Sequence, residues 1–290
     1  MSESAELGEA VPRELSRLID AGWVVAAFAV LQRGEAKQEL RDAAEQVLLL
    51  SGLPTNTRRN DEFLAAVSSQ LQQIAGLGSG KAHGWADLDD DVLLIQGQGS
   101  RIVADWILDE IVPAFGMGER MRQPAAAFLD VGVGTGQLAA QIVRRCPEVR
   151  VVGLDTASRP LRLARDLLQE SGHSERIELR LADVASLDET SVFDLAWLPV
   201  CFIAPDLLET AVARVLRSLR RGGVVVASTI ISRTDLPIVR AVVRLMTTFY
   251  GGTPFTQEDV MRLLAQAGYT DVRSLPANAV TGALTGGRRP

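Results

Sequence analysis

Residues 125–290 are predicted to form an α/β domain with a mostly parallel sheet, preceded by about 124 residues that read as helix. Three observations predict this. After residue 125, short apolar segments alternate with amphipathic ones. One of these segments, beginning at Phe128, runs directly into three glycines and then a helix. The last two strands are separated by only a few residues, too few for a parallel crossover, so they form an antiparallel hairpin at the sheet edge.

In the N-terminal part, apolar side chains recur at spacings of three and four. Phe63, Val67, Leu71 and Ile74 show it best, with Asn60 as N-cap and Gly76 as the stop. Similar patterns predict helices over 11–32, 35–50 and 92–114. Gly76 to Asp91 is rich in Gly and Asp and reads as a loop between helices. Within the last helix, Gln96-Gly97-Gln98-Gly99-Ser100 predicts a break, since two glycines each cost about 1 kcal/mol there relative to Ala. Pro113, Gly116, Gly118 and Pro124 mark the boundary. Strands follow at Ala126–Val131, Arg150–Asp155, Glu178–Ala182, Leu195–Leu198, Val224–Thr229, Asp271–Leu275 and Ala279–Gly286. A further amphipathic helix within Ile230–Thr253 carries Val239, Val242, Val243, Leu245, Met246 and Phe249 on one face, as a lid over an apolar ligand or as core.

Composition bounds the function. The chain has 290 residues, 47% hydrophobic and 23% charged, which excludes a disordered or collagenous protein. The net charge of −6 argues against a nucleic-acid partner, which would call for a basic stripe. Residues 1–124 carry 11 basic and 19 acidic side chains and residues 125–290 carry 19 and 17, so the acidity belongs to the helical part. Cys146 and Cys201 stand alone, without CxxC or a nearby His, and suggest buried thiols rather than a metal site or disulfide. The apolar run from Trp23 to Leu31 is too short to span a bilayer, and the expectation is a soluble cytoplasmic protein without a membrane partner.

The segment Phe128-Leu129-Asp130-Val131-Gly132-Val133-Gly134-Thr135-Gly136 has GxGxG spacing. A dinucleotide fingerprint would need a sixth-position glycine where Gln137 stands, and Asp130 would repel a pyrophosphate while suiting an amine-bearing ligand. An NAD-dependent oxidoreductase is therefore disfavoured. Asp155 ends the second strand, 19 residues after Gly136, where it can accept from ribose hydroxyls; Asp183 ends the third, where it can accept from an adenine amine. Ligands of open α/β sheets bind at the edge where all three carboxylates stand.

With these residues the chain resembles the class I S-adenosylmethionine-dependent methyltransferases of small-molecule type, over about residues 93–290. Asp130, Gly132, Gly134 and Gly136 match the family's first motif, Asp155 its ribose acid, and Asp183 with Val184 its adenine site. Phe193–Leu198 and Leu219–Val226 resemble its fourth strand and its Gly-Gly turn with fifth strand. The resemblance implies a doubly wound, Rossmann-like sheet of seven strands in the order 3-2-1-4-5-7-6, S-adenosylmethionine as cofactor, and contacts from Val133, Thr156 and Leu198 as well. It implies residues 1–124 as a cap or dimerisation region and 125–290 as the cofactor-binding domain.

Methyl transfer needs alignment in a dry pocket more than a protein nucleophile, although a hydroxyl or amine acceptor also needs a base. Among base candidates, His83 sits in the helical part that could cover the pocket and His173 in a polar turn. Tyr250, Glu258 and the run Asp87, Asp89, Asp90, Asp91 read better as a turn residue, a first-turn charge and a solvated acidic patch. Leu198-Pro199-Val200-Cys201-Phe202 lacks the Asn/Asp-Pro-Pro-aromatic motif of many amino-group methyltransferases. The expected acceptor is a hydrophobic small molecule, in keeping with bacterial secondary metabolism, and the N-terminal helices are expected to close the pocket or pair two copies. The alternative is a protein of this fold that binds the cofactor for a regulatory or non-methylating role.

Overall fold

The computed structural model describes residues 22–31, 36–52, 71–80, 87–230, 237–276 and 282–290. The chain divides into two compact units, Met1–Gln70 and Leu71–Pro290. In the first, residues 22–31 (α1) and Gln38–Leu50 (α2) are helical, and Ala27, Ala44 and Leu48 form a small core with Phe28 and Val47. Among the described residues no helix is long and apolar enough to cross a membrane.

The second unit begins with a helix over 71–78 (α3). Gly76 does not stop it; the chain turns at Ser79 and Gly80, and Gly80 takes the left-handed φ of 69°. Asn60 and Phe63 lie outside the described residues. Next comes Asp90–Trp106 (α4), which continues through a π turn at Ile107–Ile111 into Val112–Ala114. Pro113 has no N–H to return to Asp109, and the wider turn absorbs the missing bond. Val103, Ala104, Ile107 and Ile111 are buried in the same core as the sheet. The unit that holds the sheet therefore starts well before the composition change at 124.

The sheet runs through Ala127–Val131 (β1), Arg150–Asp155 (β2), Ile177–Leu181 (β3), Phe193–Pro199 (β4), Leu219–Thr229 (β5), Thr270–Leu275 (β6) and Ala283–Arg288 (β7), in the order 3-2-1-4-5-7-6. β1 to β5 are parallel, and β7 pairs antiparallel with both β5 and β6. The helices between them are Gln137–Arg145 (α5), Ser158–Glu170 (α6), Leu208–Ser218 (α7), Pro237–Phe249 (α8) and Gln257–Gln266 (α9). Strand side chains alternate in direction, so Phe128, Leu195 and Trp197 pack on one face with Leu138, Ile142 and Leu161. Leu129, Ala196 and Leu198 pack on the other with Leu208, Val212 and Val260. β4 is buried over its whole length and forms the centre of both cores.

β4 and β5 start earlier than expected. β4 starts at Phe193, where buried Asp194 accepts from Arg120 Nε at 2.5 Å, Arg220 Nη1 at 2.6 Å and the Ala127 N–H at 2.9 Å. β5 starts at Leu219, which pairs with Phe193, and the ladder shifts register before Val224. The Gly222-Gly223 turn thus lies inside the strand as an irregularity.

Candidate functional site

A pocket of about 520 Å³ opens at the carboxyl ends of β1 to β4. Gly132, Gly134 and Gly136 have φ of 69°, 55° and 76°, which lets the loop fold back from β1 before α5 begins. Gly132, Val133, Gly134 and Thr135 line the pocket. Gly136 does not: a side chain there would meet the Ala164 Cβ at 3.2 Å, on the α6 side.

Asp155 and Thr156 line the same pocket from the end of β2. The Asp155 carboxylate accepts from the Gly134 N–H at 2.9 Å and the Ala157 N–H at 2.8 Å. Burial nevertheless raises its pKa above the ordinary carboxylate value, against the opposing pull of these amides. At the end of β3, Asp183 accepts from the Ala185 N–H at 2.7 Å and lines the pocket with Val184. These two carboxylates and the glycine loop are thus brought together as expected.

Asp130 and Leu198 are placed differently. Asp130 is only 1% exposed and its Oδ2 has no hydrogen-bond partner; burial, with the charge of Asp155, pushes its pKa up to about 8. It lies beneath the loop and is not part of the pocket wall. Leu198 points into the core with Val225 and Ala227, because the alternation of β4 turns it away from the ligand edge. Pro199 takes its place in the wall, followed by Phe202, Ile203 and Ala204.

The remaining wall comes from helical segments. α4 is unbroken at Gln96–Ser100, so the expected break does not occur. A side chain on Gly97 would stand 2.0 Å from Thr135 Oγ1, and the absence of one lets the helix cross the glycine loop in contact. Gln137 Nε2 donates to the Leu94 carbonyl at 2.9 Å across this crossing. Gln96, Gly97, Ser100 and Asp87 line the pocket here, and Tyr250 and Gly251, after α8, complete it.

The model of a methyltransferase domain matches residues 128–223, a stretch that contains the loop, both wall carboxylates and β4. Over that stretch the chain is similar to methyltransferase domains. Over 101 residues it is 36% identical to trans-aconitate 2-methyltransferase of Azoarcus sp. (strain BH72), covering 34% of this chain and 37% of that enzyme. Over 102 residues it is 31% identical to malonyl-[acyl-carrier protein] O-methyltransferase of Acetivibrio thermocellus, covering 35% of each. The alignments thus span little more than a third of either relative. The crystal structure of the S-adenosylmethionine-dependent methyltransferase SibL, in its apo form, matches over 100% of both chains with a TM-score of 0.62 at 19% identity. That likeness concerns the fold.

Around this pocket the base candidates scatter. His83 lies outside the described residues. His173 stands in the turn before β3 and Glu258 is exposed in the first turn of α9, neither of them in the pocket wall. Asp90 pairs with Arg159 at 2.7 Å and Arg162 at 3.0 Å, which holds its carboxyl below the ordinary value. Asp89 precedes α4 without a side-chain cap bond, and Asp91 is exposed. Asp87 and Tyr250 do reach the wall. Thr135, Phe202 and the ligand-side role of Pro199 are additions to the residues the sequence predicted; the aromatic residue after β4 was the one available signal.

Proposed function

We propose that this protein is an S-adenosylmethionine-dependent methyltransferase acting on a small, largely apolar acceptor. The observation that carries the reading is Asp155, fixed to the glycine loop through the Gly134 amide while facing the pocket that Asp183 also lines. The residues present fit the cofactor. Asp155 would take ribose hydroxyls, Asp183 and the Val184 backbone the adenine, and the glycine loop the amino-acid end, above the buried Asp130 whose Oδ2 lacks a hydrogen-bond partner. When bound, the cofactor would supply an electrophilic methyl group to an acceptor held in the pocket.

The chain's own part is positioning and exclusion of water. β1 to β3 hold the donor side from below, while α4 and the segments after β4 and α8 close the pocket and orient the acceptor. The same reading keeps the enzyme cytoplasmic and lets a second copy pair through the first unit, where Trp23, Leu49 and Leu50 are exposed.

Calorimetry with S-adenosylmethionine and, separately, with NAD tests the donor, with binding of the former alone expected. Incubation with methyl-labelled cofactor and a panel of small apolar acceptors should then transfer label. Binding without any transfer would favour the regulatory alternative, and no binding at all would end the proposal. Sedimentation velocity on the full chain checks the dimer.

A further inference from the structure

The carboxylates at β3 and β2 and the loop at β1 follow the sheet order, so the next strand, β4, brings its C-terminal segment to the far end of the same pocket. There two aromatic side chains from distant parts of the chain are fused into one wall. The rings of Phe202 and Tyr250 meet edge to face, with centroids 5.2 Å apart and planes at 86°. Phe202 remains 48% exposed, an unusual surface for so large an apolar side chain beside a pocket.

The placement is built into the backbone. The turn carrying Tyr250 packs so closely on the segment after β4 that a side chain on Gly252 would stand 1.7 Å from the Cys201 carbonyl oxygen. The Thr253 hydroxyl donates to the Ile203 carbonyl at 3.3 Å and the Gly252 N–H to the Thr247 carbonyl at 2.9 Å. Tyr250 is also oriented through its hydroxyl, which donates to Gln73 Oε1 on α3. Gln73, 4% exposed, passes the chain on by donating from Nε2 to Gln96 Oε1 at 3.1 Å, and Gln96 is itself in the pocket wall. A phenol has one proton to donate and lone pairs to accept with. With that proton directed to Gln73, a ligand that hydrogen-bonds the Tyr250 oxygen does so as a donor.

We propose that Phe202 and Tyr250 form the acceptor subsite, taking a flat aromatic molecule that stacks on Phe202 and offers an O–H to the Tyr250 oxygen. This rests on the methyltransferase reading above. The buried Gln73 acts as a positioning residue, holding the polarity of Tyr250 in one direction. Ile203 and Leu207 supply the apolar side of the same subsite.

The test uses the full chain saturated with S-adenosylhomocysteine, titrated by calorimetry with 2-naphthol and with 2-methoxynaphthalene, which has the same ring and no proton to donate. Wild type should bind 2-naphthol about tenfold more tightly, as expected for one hydrogen bond that is lost in the ether. In Tyr250→Phe that preference should collapse to about twofold or less. In Phe202→Ala, and more mildly in the volume-preserving Phe202→Leu, both probes should weaken together, by about tenfold in the former, with the preference intact. In Gln73→Leu the released hydroxyl can donate, so the ether should gain on the naphthol. Every variant should keep its S-adenosylhomocysteine affinity within about threefold, which also shows that it has folded, since a site-specific loss leaves distant binding additive. An unchanged preference in Tyr250→Phe, equal 2-naphthol binding in both Phe202 variants, or no 2-naphthol binding to the saturated wild type would each overturn the proposal. Failure of S-adenosylhomocysteine to bind wild type would instead strike the methyltransferase reading itself.

Discussion

The pocket has two walls made by different means. The wall over β1 to β3 is set by backbone: left-handed glycines, and carboxylates held by the amides of Ala157 and Ala185 two residues on and of Gly134 in the loop after the neighbouring strand. The wall beyond β4 is set by side chains borrowed from α3, α4 and the turn after α8, joined by hydrogen bonds that span 23 and 177 residues of chain. A ligand portion common to many enzymes is well served by the first kind, because its geometry survives most surface changes. A portion that differs from enzyme to enzyme is better served by the second, where single side chains can be exchanged without disturbing the sheet.

The comparison can be broken most directly at Asp155. Asp155→Ala removes both the inward carboxylate and the anchor of the loop, and should weaken S-adenosylhomocysteine binding about 100-fold by calorimetry, the worth of two hydrogen bonds to a charged group. Gly252→Ala is the counterpart in the other wall. Its Cβ meets backbone that cannot step aside, so a loss of about 1–3 kcal/mol in urea unfolding is expected, with weaker 2-naphthol binding and nearly unchanged cofactor affinity. If cofactor affinity fell equally, the two walls would not be separable. Gly97→Ala tests the seam between them. The Thr135 hydroxyl must rotate away from the new methyl group, and cofactor affinity should fall about fivefold, a fraction of the cost of overpacking a rigid site.

A separate effect, read in stability and not in affinity, is in pH. Asp130 titrates at about 8 in the folded protein against an ordinary value of 3.8. Between those limits the folded state keeps a proton that the unfolded chain has lost, so this group makes the ligand-free protein less stable as pH rises from about 4 to about 8, and adds no slope beyond either end. Urea midpoints at pH 5, 6.5 and 8 should therefore fall more steeply in wild type than in Asp130→Asn. Equal slopes in the two proteins would remove Asp130 from the account.

The same division explains what could be read from the sequence. β1, β2 and the loop were legible residue by residue, because an apolar run, a GxGxG spacing and a terminal carboxylate are local signals. The order of the sheet followed from the family resemblance and not from periodicity. Leu198 misled because motif position says nothing about which way a strand residue points; the alternation of β4 assigns it to the core and Pro199 to the pocket. The glycines at 97 and 99 read as a weak point by helix propensity, yet close packing on Thr135 requires a small residue at 97 and keeps the helix whole. Gln73 had no local signal at all, since its meaning comes from Tyr250.

β7 has a bearing on how the protein is made. It enters the sheet between β5 and β6, although both are synthesised before it. Until residues 283–288 leave the ribosome, the Val224–Val226 segment of β5 presents an unpaired, apolar edge and β6 has no strand to join. The nascent chain thus passes through a stage with an adhesive flank that only its last strand can close. Chaperone demand and losses to aggregation during expression should concentrate in that interval.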